Sequence, residues 1–290
     1  MQNTFSAKGT LFLVATPIGN LKDISLRAID ILKEVDLILA EDTRHSRILL
    51  NNYLIDTKAQ SLHKFNEQAK SQYCLDLLLS GQNIALISDA GTPLISDPGY
   101  DLVRLCHENN IKVSCIPGAC AAIAALTVSG LPCSRFTFHG FLPNKSGQKV
   151  NFLSNFKNCE EPQIFYESPK RILKTFEDIS EVFGPLKVIS ISKEITKQFE
   201  ETFTGSVSEA QEYFNTNSDK LQGEFVLIIS GQPKKEQEEL SKNNSLDDIL
   251  NTLFENNISL KQAVKIGISL SGLKKNVVYK RALELHCNNI

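Results

Sequence analysis

Residues 84–99 read IALISDAGTPLISDPG, a short apolar run followed by a loop rich in glycine, proline and aspartate. Four consecutive apolar residues at 84–87 are typical of a strand that is buried on both faces of a parallel sheet. The loop follows directly, and open parallel sheets bind ligands at the carboxyl ends of their strands. This stretch therefore predicts an α/β fold with a ligand site at one edge of its sheet.

The same pattern occurs twice more in the first half of the chain. Residues 11–15, LFLVA, precede the loop TPIGN, and residues 112–116, KVSCI, precede PGACAA. Glycine allows a close approach of backbone to ligand and proline stiffens a loop, so three such loops together predict a preorganised pocket. Tight connecting turns without a ligand are the alternative.

Helical patterns separate these apolar runs. One helix is predicted to begin near residue 25, and two others span 66–80 and 119–128. A further strand is predicted at 37–40. Asp97 and Pro98 are interpreted as the cap and first residue of another helix. Strands that alternate with helices over short connections predict parallel βαβ units.

The regular alternation of predicted strands and helices ends after residue 138. Residues 140–149, GFLPNKSGQK, are interpreted as a linker loop, followed by strands at 163–167, 188–192 and 224–229. The predicted fold class is therefore α/β, with a parallel-sheet N-terminal domain at 1–138 and a mixed-sheet second domain at 139–232. Residues 233–244 lack apolar content and predict a linker, and residues 245–290 predict a small helical module.

Composition predicts an internal, soluble protein. The chain has 290 residues, 31 Lys and Arg, 33 Asp and Glu, and seven cysteines without a CxxC pair. This predicts reduced core cysteines and a cytoplasmic location. We find neither a signal peptide nor an apolar segment long enough for a membrane span, so no membrane partner is expected.

Common catalytic and cofactor motifs are missing from the sequence. It contains no GxGxxG, no GxxxxGK[ST], no HExxH and no GxSxG, and its five histidines are scattered. The sequence therefore predicts no resident metal and no serine nucleophile.

Seven blocks of sequence carry a family resemblance. They are VATPIGNLKDISLRA, ILAEDTRHSRILL, ALISDAGTPLISDPGYDLV, PGACAAIAALTVSGLP, FHGFLPNK, FYESPKRI and KEITKQFEE. From about residue 8 to 285 the chain resembles the bacterial ribosomal RNA small-subunit methyltransferase I family, which is similar to the tetrapyrrole (corrin/porphyrin) methylases. The resemblance implies a two-domain fold, usually homodimeric. It also implies transfer of methyl from S-adenosyl-L-methionine to the ribose 2′-hydroxyl of a cytidine in the decoding region of 16S ribosomal RNA.

The resemblance also implies a donor site between the domains. Thr92 stands where tetrapyrrole methylases have aspartate, so a contact by that carboxylate is not expected. The implied donor-binding residues are Pro17, Ile18, Gly19, Asp89, Gly91, Thr92, Pro93, Leu94, Ile95, Ala119, Cys120, Ala121, Phe165, Tyr166, Glu224 and Phe225.

Methylation of a hydroxyl needs a base or tight positioning. Glu167, Lys193 and Glu194 follow strands of the second domain and are the candidate catalytic residues. The alternative is that Glu167 caps a helix and that Lys193 pairs with Glu194 in solvent. Arg44 and Arg171 are candidates for RNA contact.

The net charge of −2 argues against a nucleic-acid partner when it is taken over the whole chain, but it averages two unlike parts. Residues 259–283 hold six basic residues and no acidic one, in a pattern that resembles a helix–turn–helix. A solvated helical face is the alternative, but the imbalance favours contact with RNA phosphates. The candidate residues are Lys261, Lys265, Lys274, Lys275, Lys280 and Arg281.

Two other functions fit the fold. One is a small-molecule methylase of the tetrapyrrole type, and the other is an RNA-binding protein without catalytic activity. Binding of S-adenosylmethionine distinguishes the methylases from the silent binder, and the basic module argues against a small-molecule substrate.

Overall fold

The computed structural model describes residues 8–232, 246–256 and 258–288. Its first sheet has five parallel strands in the order β3-β2-β4-β1-β5. They are β1 (Thr10–Val14), β2 (Leu37–Ala40), β3 (Ala59–Ser61), β4 (Ile84–Ile87) and β5 (Lys112–Ile116). Since β4, β1 and β5 are neighbours, the three glycine-rich loops leave the same edge of the sheet side by side.

Alternating side chains bury both faces of this sheet. Ile38 and Ala40 pack with helices α1 (Leu26–Glu34) and α2 (Thr43–Asn52). Leu37 and Leu39 pack with α3 (Glu67–Leu79) and α4 (Tyr100–Glu108) on the other face. Because both faces are covered, continuous apolar runs are required, which is why the strands could be recognised in the sequence.

The second sheet is mixed, in the order β6-β7-β10-β8-β9. Only β6 and β7 are parallel to each other, and the other pairs are antiparallel. The strands are β6 (Thr137–Phe141), β7 (Gln163–Glu167), β8 (Val188–Lys193), β9 (Glu201–Ser206) and β10 (Phe225–Ile229). The predicted α/β fold class, with one parallel and one mixed sheet, is confirmed.

Helix α5 (Ala121–Val128) follows the first sheet in sequence but packs on the second. Its Ala122, Ala125 and Leu126 contact Ile164 of β7 and Val226 of β10. The other helices of this half are α6 (Ser146–Ser154), α7 (Pro169–Phe183) and α8 (Val207–Thr216). The described residues up to Ser154 and Pro162–Ser230 form one compact unit that contains both sheets.

Two local predictions are corrected, and one strand was missed. Residues 140–149 are not a linker loop, because β6 extends to Phe141 and α6 begins at Ser146. The three-residue strand β3 has too little sequence for an apolar pattern and was not predicted. Helix α4 begins at Tyr100, so Asp97 and Pro98 are not its cap and first residue.

Asn155–Glu161 and the described residues from Gly231 onward form a second compact unit. It contains a helix at 246–255, α9, followed by α10 (Leu260–Ser271) and α11 (Lys275–Asn288). Leu246, Leu250, Ala263, Val278 and Ala282 form its core. The predicted linker at 233–244 lies outside the described residues, and the domain boundaries at 138 and 232 remain predictions.

The cysteines are not all core residues. Cys74 and Cys106 are buried, and burial raises the pKa of each thiol to about 11. Cys115 and Cys133 are exposed.

Within the described part of the chain, no helix is long and apolar enough to cross a membrane.

Candidate active site

The three glycine-rich loops are joined by hydrogen bonds at the carboxyl edge of the first sheet. Thr16 and Gly91 exchange backbone N–H···O bonds of 2.9 and 3.1 Å. The Thr92 hydroxyl donates to the Ala119 carbonyl at 3.1 Å. Thr92 therefore ties the β4 and β5 loops together.

These loops and the near edge of the second sheet enclose a cavity of about 340 Å³, which we call the donor cavity. Of the predicted donor-binding residues, nine line it: Ile18, Gly91, Thr92, Ile95, Cys120, Ala121, Tyr166, Glu224 and Phe225. Its volume lies within the usual range for small-molecule sites, about 300–1,000 Å³.

A second cavity of about 290 Å³ lies beside the first and shares Ile18, Ala90 and Glu224 with it. We call it the side cavity. The predicted residues Pro17, Gly19 and Asp89 line this cavity rather than the donor cavity.

Four predicted donor-site residues, Pro93, Leu94, Ala119 and Phe165, line neither cavity. Phe165 is fully buried and its ring stacks on His139, 5.0 Å between ring centroids. Successive side chains of a strand point to opposite faces, so Tyr166 faces the cavity and Phe165 cannot. Residue type alone did not distinguish the two aromatic neighbours.

Asp97 lines the donor cavity and was missed as a site residue. The Glu67 carboxylate accepts from the backbone N–H of Gly99 at 2.8 Å and of Asp101 at 3.1 Å, so a residue of α3 caps α4. Asp97 therefore does not cap α4. The sequence pair Pro98-Gly99 is typical of a turn and could have indicated that the helix begins after it. In the structure Gly99 has φ 128°.

Burial raises the pKa of Asp97 to about 6, and the charges of Glu41 and Asp89 add to this rise. Burial and Asp89 likewise raise the pKa of Glu41. Three carboxyl groups thus share the edge formed by β2 and β4. At neutral pH the Asp97 carboxylate is ionised and more basic than an ordinary aspartate, whose pKa is about 3.9.

The loop that carries Asp97 has a strained backbone. Leu94 has φ 70° and Ser96 has φ 76°, the left-handed region that non-glycine residues rarely adopt. Each such residue costs about 1–3 kcal/mol, and strain of this kind concentrates at functional sites.

Glu167, a predicted catalytic residue, has its carboxylate on the other side of β7. The carboxylate contacts Lys149 Nζ at 3.7 Å, the Thr175 hydroxyl at 2.8 Å and the Arg171 guanidinium, and its side chain is fully buried. Asp178 Oδ2 lies 3.4 Å from the same ammonium. Glu167 therefore offers the cavity only main-chain atoms, and its carboxylate stabilises the α6–β7–α7 packing.

Lys193 and Glu194 also have structural partners. Lys193 is buried, with its ammonium 3.6 Å from Glu201 and 3.3 Å from the Lys220 carbonyl. Glu194 accepts from the Glu224 backbone N–H at 3.0 Å and from Lys197 at 2.9 Å. These contacts hold the cavity wall at Gly223 and Glu224, and neither side chain lines the donor cavity.

The predicted RNA contacts divide into two groups. Arg171 is engaged with Glu167 and Asn144, and Arg281 donates to both oxygens of Asp247, at 2.7 and 2.6 Å, and to Glu284. Arg44 is highly exposed, although it bonds Asp42. The remaining five are exposed and form no ion pair with any residue that the structure describes: Lys261, Lys265, Lys274, Lys275 and Lys280.

The helix–turn–helix pattern predicts that five apolar residues of the C-terminal unit pack inward: Ala263, Ile266, Val277, Val278 and Leu283. Ala263 and Val278 are buried, but Ile266 is half-buried and Val277 and Leu283 are exposed. Val264 and Ala282 fill the core instead. Over residues 8–232, 246–256 and 258–288, no cluster of three His, Cys, Asp or Glu side chains could hold a metal ion.

Comparison with known proteins identifies the family. Residues 10–211 match the model for Tetrapyrrole (Corrin/Porphyrin) Methylases, and residues 243–286 match the RsmI C-terminal HTH domain. Ribosomal RNA small subunit methyltransferase I of Pasteurella multocida is 46% identical, covering 95% of this chain and 97% of the relative. The Escherichia coli O157:H7 protein of the same name is 44% identical, with 98% of each chain covered.

The chain belongs to the ribosomal RNA small subunit methyltransferase I family. A solved structure with a similar fold is uroporphyrin-III C-methyltransferase from Thermus thermophilus complexed with S-adenyl homocysteine. It aligns with TM-score 0.54 and 16% identity, over 77% of this chain and 97% of its own. At this identity the likeness concerns the fold alone.

Proposed function

We propose that the chain transfers a methyl group from S-adenosyl-L-methionine to the ribose 2′-hydroxyl of a cytidine in the decoding region of 16S ribosomal RNA. The observation that carries the proposal is near-full-length identity of 44–46% to ribosomal RNA small subunit methyltransferases, combined with a cavity built from the predicted donor loops. Its partner is the small ribosomal subunit, its location the cytoplasm and its state a homodimer.

The donor cavity fits the chemistry of S-adenosylmethionine. Ile18, Ile95 and Val226 provide apolar walls for an adenine ring, and the carboxylate of Glu224 complements a cationic ligand. Glycine at position 91 keeps the β1 and β4 loops close together, because its φ is 82° and a Cβ there would come within 3.3 Å of the Ile18 side chain. When bound, the donor supplies a methyl group on a positively charged sulfur.

The ribose hydroxyl is a weak nucleophile, and Asp97 is the residue placed to take its proton. A general base is most effective when its pKa is close to the working pH, and burial raises the pKa of Asp97 to about 6. The hydroxyl oxygen bonds to the methyl carbon as the carbon–sulfur bond breaks, and the proton passes to the carboxylate. The apolar walls exclude water from this step.

Recruitment of RNA is assigned to positive charge outside the cavity. The exposed lysines of α10, α11 and the turn between them, together with Arg44, supply sequence-independent contacts to phosphates. We assign structural roles to Arg171 and Arg281 instead, because Arg171 is only 24% exposed beside the buried Glu167 and Arg281 joins α11 to α9 through Asp247.

The test uses S-adenosyl-L-methionine that carries a labelled methyl group. The protein and this donor are incubated with assembled small subunits and, separately, with naked 16S RNA. We expect label on a cytidine ribose in the decoding region. Label on a base atom, or none on either substrate, would contradict the proposal. A donor titration distinguishes the alternatives, because an RNA-binding protein without activity binds no donor and a tetrapyrrole-type methylase binds donor without labelling RNA.

A further inference from the structure

The side cavity is floored by three hydroxyl residues, each at least nine-tenths buried. Thr16, Ser46 and Ser88 have 2%, 4% and 3% of their surface exposed. All three hydroxyls donate to main-chain carbonyls: Thr16 to Ser88 at 3.1 Å, Ser46 to Asp42 at 3.0 Å and Ser88 to Gly91 at 2.9 Å. Their single protons are therefore used, and what each hydroxyl can still offer a ligand is an oxygen lone pair.

Asp89 adds a further acceptor to the wall of this cavity. Its Oδ1 accepts from the Asp42 backbone N–H at 3.1 Å, which holds the carboxylate toward the first turn of α2. An ionised carboxylate has about four acceptor positions, so most remain available. The side chains with donors are His45 at the rim and Lys197, whose ammonium is already bonded to Glu194 and Glu224.

The position of the cavity identifies what it would hold. It shares Ile18, Ala90 and Glu224 with the donor cavity, so a ribose at the common wall would direct its base into the side cavity. Leu21, Ile48 and Leu49 provide apolar contact for the flat faces of a base. Sequence-specific RNA recognition uses unpaired bases that are read in pockets of this kind.

We infer that the side cavity binds the base of the acceptor nucleotide, and that Asp89 with the acceptor-rich floor selects a base carrying an exocyclic amino group over one carrying a keto group. The inference rests on the proposed ribose methylation and names the determinant of its specificity. Cytosine presents an N4 amino donor, for which a carboxylate is a suitable partner. Uracil presents O4 at the same position, which would face lone pairs and leave buried acceptors unpaired.

The main test compares small subunits that carry cytidine or uridine at the methylated position. We expect the wild-type enzyme to favour cytidine by about tenfold to a hundredfold in kcat/KM, the size of one specific base contact. In Asp89→Asn the side-chain carbonyl keeps the bond to Asp42 and the amide turns N–H donors into the cavity. The preference for cytidine should fall by the same factor, with donor affinity unchanged.

Asp101→Asn is the matched control, because Asp101 is a carboxylate near the same sheet edge that lines neither cavity. It should leave the preference at the wild-type value. The inference is overturned if Asp89→Asn keeps the full preference while binding donor normally, or if the wild-type enzyme methylates uridine as well as cytidine. Failure of the proposed function is distinguishable, because neither ribose would then be methylated.

A second variant tests the cavity without touching a buried group. Ile48 lines the side cavity and is 62% exposed, so Ile48→Trp adds bulk at its mouth without strain in the core. We expect kcat/KM for RNA to fall at least tenfold with unchanged donor affinity. Leu26→Trp, at a position that is 81% exposed and lines neither cavity, should have no such effect. Equal activity of the two variants would contradict the assignment of the side cavity to RNA.

Discussion

The ammonium of Lys149 lies 3.7 Å from the Glu167 carboxylate, and both side chains are almost completely removed from solvent. Asp178, at 3.4 Å, and the Thr175 hydroxyl, at 2.7 Å, complete the surroundings of the lysine. The network joins α6, β7 and α7 directly behind the cavity wall. A charged residue selected from the sequence as catalytic thus serves to hold the strand end that the cavity uses.

Removing the lysine charge should therefore destabilise the fold. Lys149→Met removes the buried cation that Glu167 and Asp178 share, although Glu167 keeps its bond to Arg171. Breaking a buried ion pair from one side costs about 3–5 kcal/mol. We expect a loss of this size in the free energy of unfolding, measured by urea denaturation. Lys170→Met is the control, because Lys170 is an exposed lysine on α7 outside this network and should change stability little. Equal stability of the two variants would show that the network is not structural.

Asp97→Asn should impair catalysis and spare donor binding. Removal of a general base costs about 10²–10⁴-fold in rate, and an asparagine of the same shape preserves the cavity. The wild-type kcat should rise with pH through about 6, where Asp97 ionises, and the variant should lack this rise. Asp101→Asn should retain the wild-type profile. An unchanged kcat for Asp97→Asn would remove Asp97 from the mechanism.

The same substitution should change how stability depends on pH. The folded-state pKa of Asp97, about 6, lies above its unfolded value of about 3.9, so folding disfavours the ionised form. The loss of folding stability that Asp97 causes is therefore absent below pH 3.9. It develops as the pH rises to 6 and is complete above that value. Asp97→Asn should accordingly melt higher than wild type at pH 7.5 and at the same temperature near pH 4. An equal difference at both pH values would indicate a cause other than ionisation.

Arg281 should matter for the fold of the C-terminal unit rather than for RNA. Its two bonds to Asp247 connect α11 to α9. Arg281→Gln should accelerate amide hydrogen exchange in α9 and α11. Lys280→Gln, one residue earlier and exposed, should leave exchange unchanged. If Lys280→Gln accelerates exchange as much, the ion pair is not what holds these helices together.

The exposed lysines should determine the salt dependence of RNA binding. Lys274, Lys275 and Lys280 replaced together by glutamine should reduce the slope of log affinity against log salt by about 2, since each phosphate contact contributes about 0.7–0.9. A triple variant at the exposed lysines Lys22, Lys33 and Lys58 of the first unit is the control for loss of net charge. A similar slope for both variants would mean that only overall charge acts.

Much of the fold could be predicted because burial constrains sequence locally. Strands β1, β2, β4 and β5 need apolar residues on both faces, and the helices between them show an apolar stripe. Strand β3 has only three half-buried residues, AQS, so no periodicity could reveal it. Helix α6 follows Pro143 and contains the buried Lys149, a residue type that signals a surface loop unless its partners are known.

The sequence predicted the residues of the candidate site less completely than it predicted the fold. Nine residues chosen by resemblance line the donor cavity, and most of them lie in loops, because a loop's place at the strand end follows from chain order. Side-chain direction does not follow from chain order. Tyr166 faces the cavity and Phe165 faces away. Glu167 was chosen as catalytic although its carboxylate is buried behind the wall, whereas Asp97, which also lines the cavity, was missed.

The sequence by itself determined the family, the two-sheet α/β fold and the edge where the loops meet, because apolar runs, glycines and prolines act through short-range geometry and burial. Only the tertiary structure decided which charges are available. Glu167, Arg171 and Arg281 are engaged by partners distant in sequence or on the next helical turn, and Asp97 is left at the cavity because Glu67 of another helix caps α4 in its place. An ionisable side chain's chemistry depends on the groups that surround it in space, and those are set by packing.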